Sequence, residues 1–183
     1  MPGIGQRGGS PTPQAGSLGV IISLPAALAQ ELSARRADYG GAEAAVVPPH
    51  ITLVSGRASG PWEAAAKHVR AVAALTEPFR ISLRGTGSFA PVSQVVFLRV
   101  DEGAHQCAQL HRELLRGPIE HLLAYDFHPH LTVAHDLDAA VMDNAKAQLA
   151  DFAAEFEVNS IGLFDYLDGA WALREELALG GAG

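Results

Sequence analysis

Two stretches, Pro49-His50-Ile51-Thr52-Leu53-Val54 and Pro129-His130-Leu131-Thr132-Val133-Ala134, decide how this chain is read. They match position for position, eighty residues apart. In an extended strand, side chains i and i+2 share a face. His50 and Thr52 therefore point one way, and Ile51 and Leu53 point the other, into a core. His130 and Thr132 repeat this over Leu131 and Val133. Two copies mark one duplicated unit rather than a solenoid. If the copies face each other, two imidazoles and two hydroxyls line one central groove.

Around the motifs, short apolar runs alternate with helical stretches. The spacing predicts a strand over 17–24, then a helix over 26–39 opened by Pro25 and stopped by Gly40-Gly41. A strand starts at His50, and a helix over 62–75 follows Gly60-Pro61. Strands over 79–86 and 94–100 precede a helix over about 103–115, which ends at Gly117-Pro118. The second half replays the order. It has a strand over 130–134, a helix over 138–151 with Asp138 as N-cap, and strands over 156–166 and 171–177 around Asp168-Gly169. The expected class is α+β, with bilobal, pseudo-two-fold duplicated lobes, each an antiparallel sheet with helices. Residues 17–179 are expected to form a single two-lobed domain. A Gly/Pro/Ser-rich disordered arm at 1–16 and a flexible tail at 180–183 flank it.

The formal net charge is −7, from 13 Lys and Arg against 20 Asp and Glu. A surface that grips long nucleic acid carries a basic face, and this composition supplies none. The charge argues for a small phosphate ligand, or the end of a strand, held at a local site, with no extended nucleic-acid surface. No run of about eighteen apolar residues exists, so no membrane span is expected. The first residues lack the basic and apolar regions of a secretory signal. The lone Cys107 excludes an intramolecular disulfide and fits a cytoplasmic setting. Its surroundings read as a half-buried helix, with Cys107 a small core residue rather than a reactive thiol. A monomer is the expected state.

The paired His and Thr suit cleavage of a phosphodiester. A neutral histidine removes a proton from water or a ribose hydroxyl, and a protonated one donates to the leaving oxygen. Threonine hydroxyls donate to the non-bridging oxygens, where charge builds. The chemistry calls for no metal or cofactor. It predicts a bell-shaped pH profile with an optimum between about pH 6 and 8.

The H-x-T pair resembles the 2H phosphoesterase superfamily, most closely its 2′-5′ RNA ligase family, over about residues 18–179. The stretch Leu83-Arg84-Gly85-Thr86-Gly87-Ser88-Phe89 is similar to that family's glycine-phenylalanine segment. The resemblance implies a bilobal fold with a central groove. It also implies activity on 2′,3′-cyclic phosphate ends, 2′-5′ linkages or related cyclic nucleotides, usually giving a 2′-phosphate, with a small nucleotide or an RNA 3′ end as the partner. It makes His50 and Thr52 one half-site and His130 and Thr132 the other, with His130 the base and His50 the acid. Many relatives carry arginine soon after the second motif, where this chain has His135. Histidine adds a positive charge there only when protonated.

The remaining candidates are weaker. His128, two residues before His130, reads as an orienting group, and His135 as a possible substrate contact. His128, His130, His135 and Asp136 invite a metal-dependent hydrolase, but their spacing matches no zinc pattern and the repeat accounts better for His130. A non-catalytic module binding nucleotides or RNA ends in the same groove is the other alternative, and a binder needs no pair of proton-transfer groups. Tyr125 and Phe127 read as core packing or a base-stacking surface. His68, His105, His111 and His121 read as solvated helix residues, and Arg57 and Arg84 as surface charge.

Overall fold

The computed structural model describes residues 13–40, 47–122 and 125–180. Most of the expected arm (1–12), the end of the tail (181–183) and Gly41 lie outside them. In chain order the elements are β1 (Ser17–Ser23), α1 (Ala26–Tyr39), β2 (His50–Ala58), α2 (Trp62–Leu75), β3 (Phe79–Ser88), β4 (Val95–Val100) and α3 (Ala104–Leu114). Then come β5 (Ile119–His121), β6 (His130–His135), α4 (Ala139–Gln148), β7 (Ala153–Val158), β8 (Ser160–Leu167) and β9 (Ala170–Ala178). Pro25 and Pro61 stand just ahead of α1 and α2, where a missing N–H costs nothing. α1 ends at Gly40, whose φ of 86° only glycine adopts readily. Asp168 and Gly169, with φ of 51° and 82°, form the two-residue turn expected between β8 and β9.

Every strand pair is antiparallel, in the order β7-β3-β4-β6-β2-β1-β8-β9, with β5 on β2. The motif strands β2 and β6 sit at the centre and share one registered pair, Ile51 with Leu131. The expected two sheets are thus one continuous sheet, a four-stranded half (β7, β3, β4, β6) and a half of four strands plus the short β5 (β2, β1, β8, β9), which touch at a single rung. About that rung β2 corresponds to β6, β1 to β4, β8 to β3 and β9 to β7. The chain crosses between halves: β3 and β4, which follow the first motif, belong to the β6 half. α1 packs on β6, and α3 packs on β2, so each half is covered partly by the other's connecting helix.

Ile51, Leu53, Leu131 and Val133 join one apolar cluster with Leu32, Val69, Leu110 and Leu114. Burial of such side chains is the main force holding the halves together. Three expectations shift. The strand expected over 156–166 is two strands broken at Asn159, because the chain leaves β3's side there to pair with β1. α4 ends at Gln148, and Asp138 caps it by position without a side-chain hydrogen bond. The three-residue β5 was not expected.

Residues 14–16, inside the expected arm, belong to a turn in which the Ser17 hydroxyl accepts from the Gln14 amide. Gly180, inside the expected tail, donates to the Ala73 carbonyl of α2. Among the described residues no helix is long and apolar enough to cross a membrane.

Candidate active site

An antiparallel register with Ile51 opposite Leu131 sets His50 across from Thr132 and Thr52 across from His130. All four side chains then point to one face, and together with Pro49 and Arg36 they line one cleft. Two motifs eighty residues apart in sequence thus meet about a local two-fold axis.

The prolines set the rings. Residues before proline favour extended backbone, which turns their own carbonyls in a fixed direction. His50 Nδ1 lies 2.9 Å from the Pro48 carbonyl, and His130 Nδ1 lies 2.7 Å from the His128 carbonyl. A carbonyl only accepts, so each Nδ1 carries the proton and each Nε2 is left for chemistry. A neutral ring then offers a lone pair at Nε2, and a protonated ring an acidic N–H there.

Both histidines titrate below the ordinary value of 6.5. Burial is the main cause for each. The bond to the preceding carbonyl opposes it, and nearby positive charge adds to it: Arg36 for His50, and His128 and His50 for His130.

Arg36 is a cleft residue that the sequence reading missed. It is 7% exposed and donates from Nη1 to the Val47 carbonyl at 2.8 Å. It shares α1's buried stripe with Leu32 and Tyr39, at helical spacing. An arginine on an apolar stripe was the available signal.

Phe97 and Phe89 were also missed as neighbours of the site. Phe97 stands opposite Thr132 on β4, and its ring lies over Gly87 of β3. A Cβ at Gly87 would sit 2.6 Å from Phe97 Cζ, which is why glycine is needed there. Phe89 packs on Phe97 at 4.4 Å between ring centroids and meets the His130 ring edge-on at 4.9 Å. The glycine-phenylalanine segment thus builds an aromatic wall beside His130.

The other candidates fall into place around this centre. His128 contacts both phenylalanines and supplies the carbonyl that holds His130. His135 lies at the end of β6, 3.5 Å from Asp136, and is not among the residues lining the cleft. Among the described residues no three His, Cys, Asp or Glu side chains are grouped to hold a metal ion.

Three of the four histidines expected to be solvated are not. His111 is buried, with Nδ1 2.7 Å from the Leu53 carbonyl and its ring stacked on Phe127. His121 lies on β5 against His111, and His68 Nε2 lies 2.9 Å from the Glu113 carbonyl. His105 is exposed, and so is Tyr125. Arg57 pairs with Glu120, and Arg84 with Glu155. Cys107 is fully rather than half buried, and burial pushes its thiol up to about 12, so it is inert at neutral pH. A larger, open cleft at the β3 bulge is lined by Arg84, Arg99, Lys146, Asp143 and Asp151. No histidine and neither H-x-T motif lines it, so the smaller cleft is the better candidate for chemistry.

The sequence profile of the 2′-5′ RNA ligase superfamily matches residues 24–170. A protein of Bacillus cytotoxicus, named for a proposed phosphoesterase activity, is 31% identical over 89% of this chain and 96% of its own length. A similarly named protein of Geobacillus kaustophilus is 32% identical over the same shares. In fold, the chain is similar to E. coli LigT crystallised with 3′-AMP, at a TM-score of 0.67 and 22% identity, over 91% of this chain and 99% of that one. A Thermus thermophilus protein superimposes with a TM-score of 0.61 at 20% identity, over 91% of this chain and 100% of that one. The profile spans both motifs and most of the chain, and the fold and cleft agree with it: this protein belongs to the 2′-5′ RNA ligase superfamily.

Proposed function

We propose that the protein hydrolyses 2′,3′-cyclic phosphate ends of RNA, or small nucleotides bearing the same ring, by metal-independent acid–base catalysis between His130 and His50. One observation carries this reading: two Nδ1-anchored imidazoles and two threonine hydroxyls line a single cleft. His130 Nε2 takes a proton from water, whose oxygen attacks phosphorus. The bond from phosphorus to O3′ breaks, and His50 Nε2–H delivers its proton to O3′. The products are a 2′-phosphate and a free 3′ hydroxyl. Thr52 and Thr132 donate to the non-bridging oxygens as charge moves onto them. His128 holds the His130 ring, and the aromatic wall limits water on that side. Related LigT has been crystallised with 3′-AMP, ATP and NADP+, which supports a nucleotide-sized ligand.

The test is a panel of 2′,3′-cyclic nucleotides, 2′-5′-linked dinucleotides and short RNAs ending in cyclic phosphate, with products separated as 2′ and 3′ isomers. Turnover to 2′-phosphate is expected, with no change after dialysis against a chelator. Loss of activity on chelation, restored by zinc or manganese, would contradict the mechanism.

A further inference from the structure

We infer that Arg36 supplies the fixed positive charge of this site, gripping the phosphate beside His50. The inference rests on the phosphodiesterase reading above and adds a residue and a direction to it.

Arg36 is 7% exposed, yet it reaches the cleft lined by both H-x-T pairs. It comes from α1, which packs on β6, while its Nη1 donates to Val47 just ahead of β2. It therefore sits where the two halves meet. The other groups lining the cleft are two neutral hydroxyls, a proline and two histidines held below their ordinary range. Among the described residues lining the cleft, Arg36 is thus the one whose side chain keeps its charge at every working pH.

The local two-fold axis makes the placement informative. α1 buries Leu32, Arg36 and Tyr39, and α3 buries Cys107, His111 and Leu114 at the same i, i+4, i+7 spacing. By position His111 is the counterpart of Arg36. It is committed to the Leu53 carbonyl and to Phe127, and it does not line the cleft. The duplicated scaffold thus carries a charged residue on one side and a packed one on the other. Among the described lining residues, the fixed positive charge therefore stands on the His50 side. A phosphate entering the cleft is drawn to that side, and its anion offsets the repulsion that Arg36 exerts on a protonated His50. Substrate binding therefore readies His50 to act as the acid.

The experiment separates this role from a structural one. Glutamine at position 36 keeps a donor for Val47 and removes the charge; lysine keeps a charge. Binding of 2′-AMP and of inorganic phosphate is measured by calorimetry for wild type, Arg36→Gln, Arg36→Lys and His50→Ala, with melting temperatures alongside. Arg36→Gln should melt near wild type yet bind both ligands about ten- to a hundredfold more weakly, the usual worth of a charge-assisted hydrogen bond. Arg36→Lys should recover part of the loss. Added ethylguanidinium should raise the turnover of Arg36→Ala. Wild-type affinity in Arg36→Gln would overturn the inference and leave the phosphodiesterase reading standing. A wild type that binds neither ligand would overturn both. An Arg36→Gln that fails to fold, with Arg36→Lys folded but binding no better than His50→Ala, would assign Arg36 to structure alone.

Discussion

Thr52 and Thr132 each offer a neutral hydroxyl across the rung from a histidine. Replacing either with valine keeps the shape and removes the donor. That should lower kcat about a hundredfold with little change in melting temperature. Serine at the same positions should keep most of the rate. Steady-state kinetics on a cyclic-phosphate dinucleotide checks this, and a Thr132→Val enzyme with wild-type kcat would show that the hydroxyl does not reach the phosphate. At this scale the sequence was legible where the signal is local. His50, Thr52, His130 and Thr132 follow from alternation within six residues. Arg36 does not, because its link to Val47 and its closeness to His50 join positions 11 and 14 residues apart, a separation that no periodicity describes.

Gly87 shows how an element conditions the site from behind. Its missing side chain lets the Phe97 ring pack over β3, Phe89 packs tilted against Phe97, and His130 rests edge-on against Phe89. Gly87→Ala places a methyl where the Phe97 ring now sits. The ring must move, and the wall with it. Such overpacking costs about 1–3 kcal/mol, so a lower melting temperature and a reduced kcat/KM are expected together. Unchanged kinetics in that variant would mean the wall does not position His130. The helices and strands came through from capping residues and period almost to the residue in α1 and α2. The break at Asn159 did not, because apolar alternation runs on through it while the hydrogen-bonding partner changes. β5 was hidden by its length of three residues.

For the whole molecule, duplication was readable from the repeat. The exchange of strands between halves was not, since pairing between distant strands leaves no mark on either one. The cleft formed at the junction half-buries both histidines, and the partial loss of water has a consequence for pH. Each titrates below 6.5 when folded and near 6.5 when unfolded. The unfolded chain therefore binds more protons just below 6.5. Stability from these groups is complete above about pH 6.5 and falls as the pH drops through the folded values. Melting temperatures between pH 7 and 5 should decline less steeply in a His50→Ala, His130→Ala double variant. The same shift moves the optimum of kcat/KM, which reports the free enzyme, to the acid side of the 6–8 window that the ordinary histidine value suggests. The optimum of kcat should lie higher, because bound phosphate favours the charged imidazole.

The central claim is that the two motifs act as one proton relay on one phosphate. It is tested most directly by kcat/KM for a dinucleotide ending in a 2′,3′-cyclic phosphate, measured for wild type, His50→Ala, His130→Ala and the double variant. Groups that act as a unit are strongly non-additive. Each single change should cost about a hundred- to ten-thousandfold, and the double variant should lose little more. Full activity in either single variant, or losses that multiply in the double, would contradict the account.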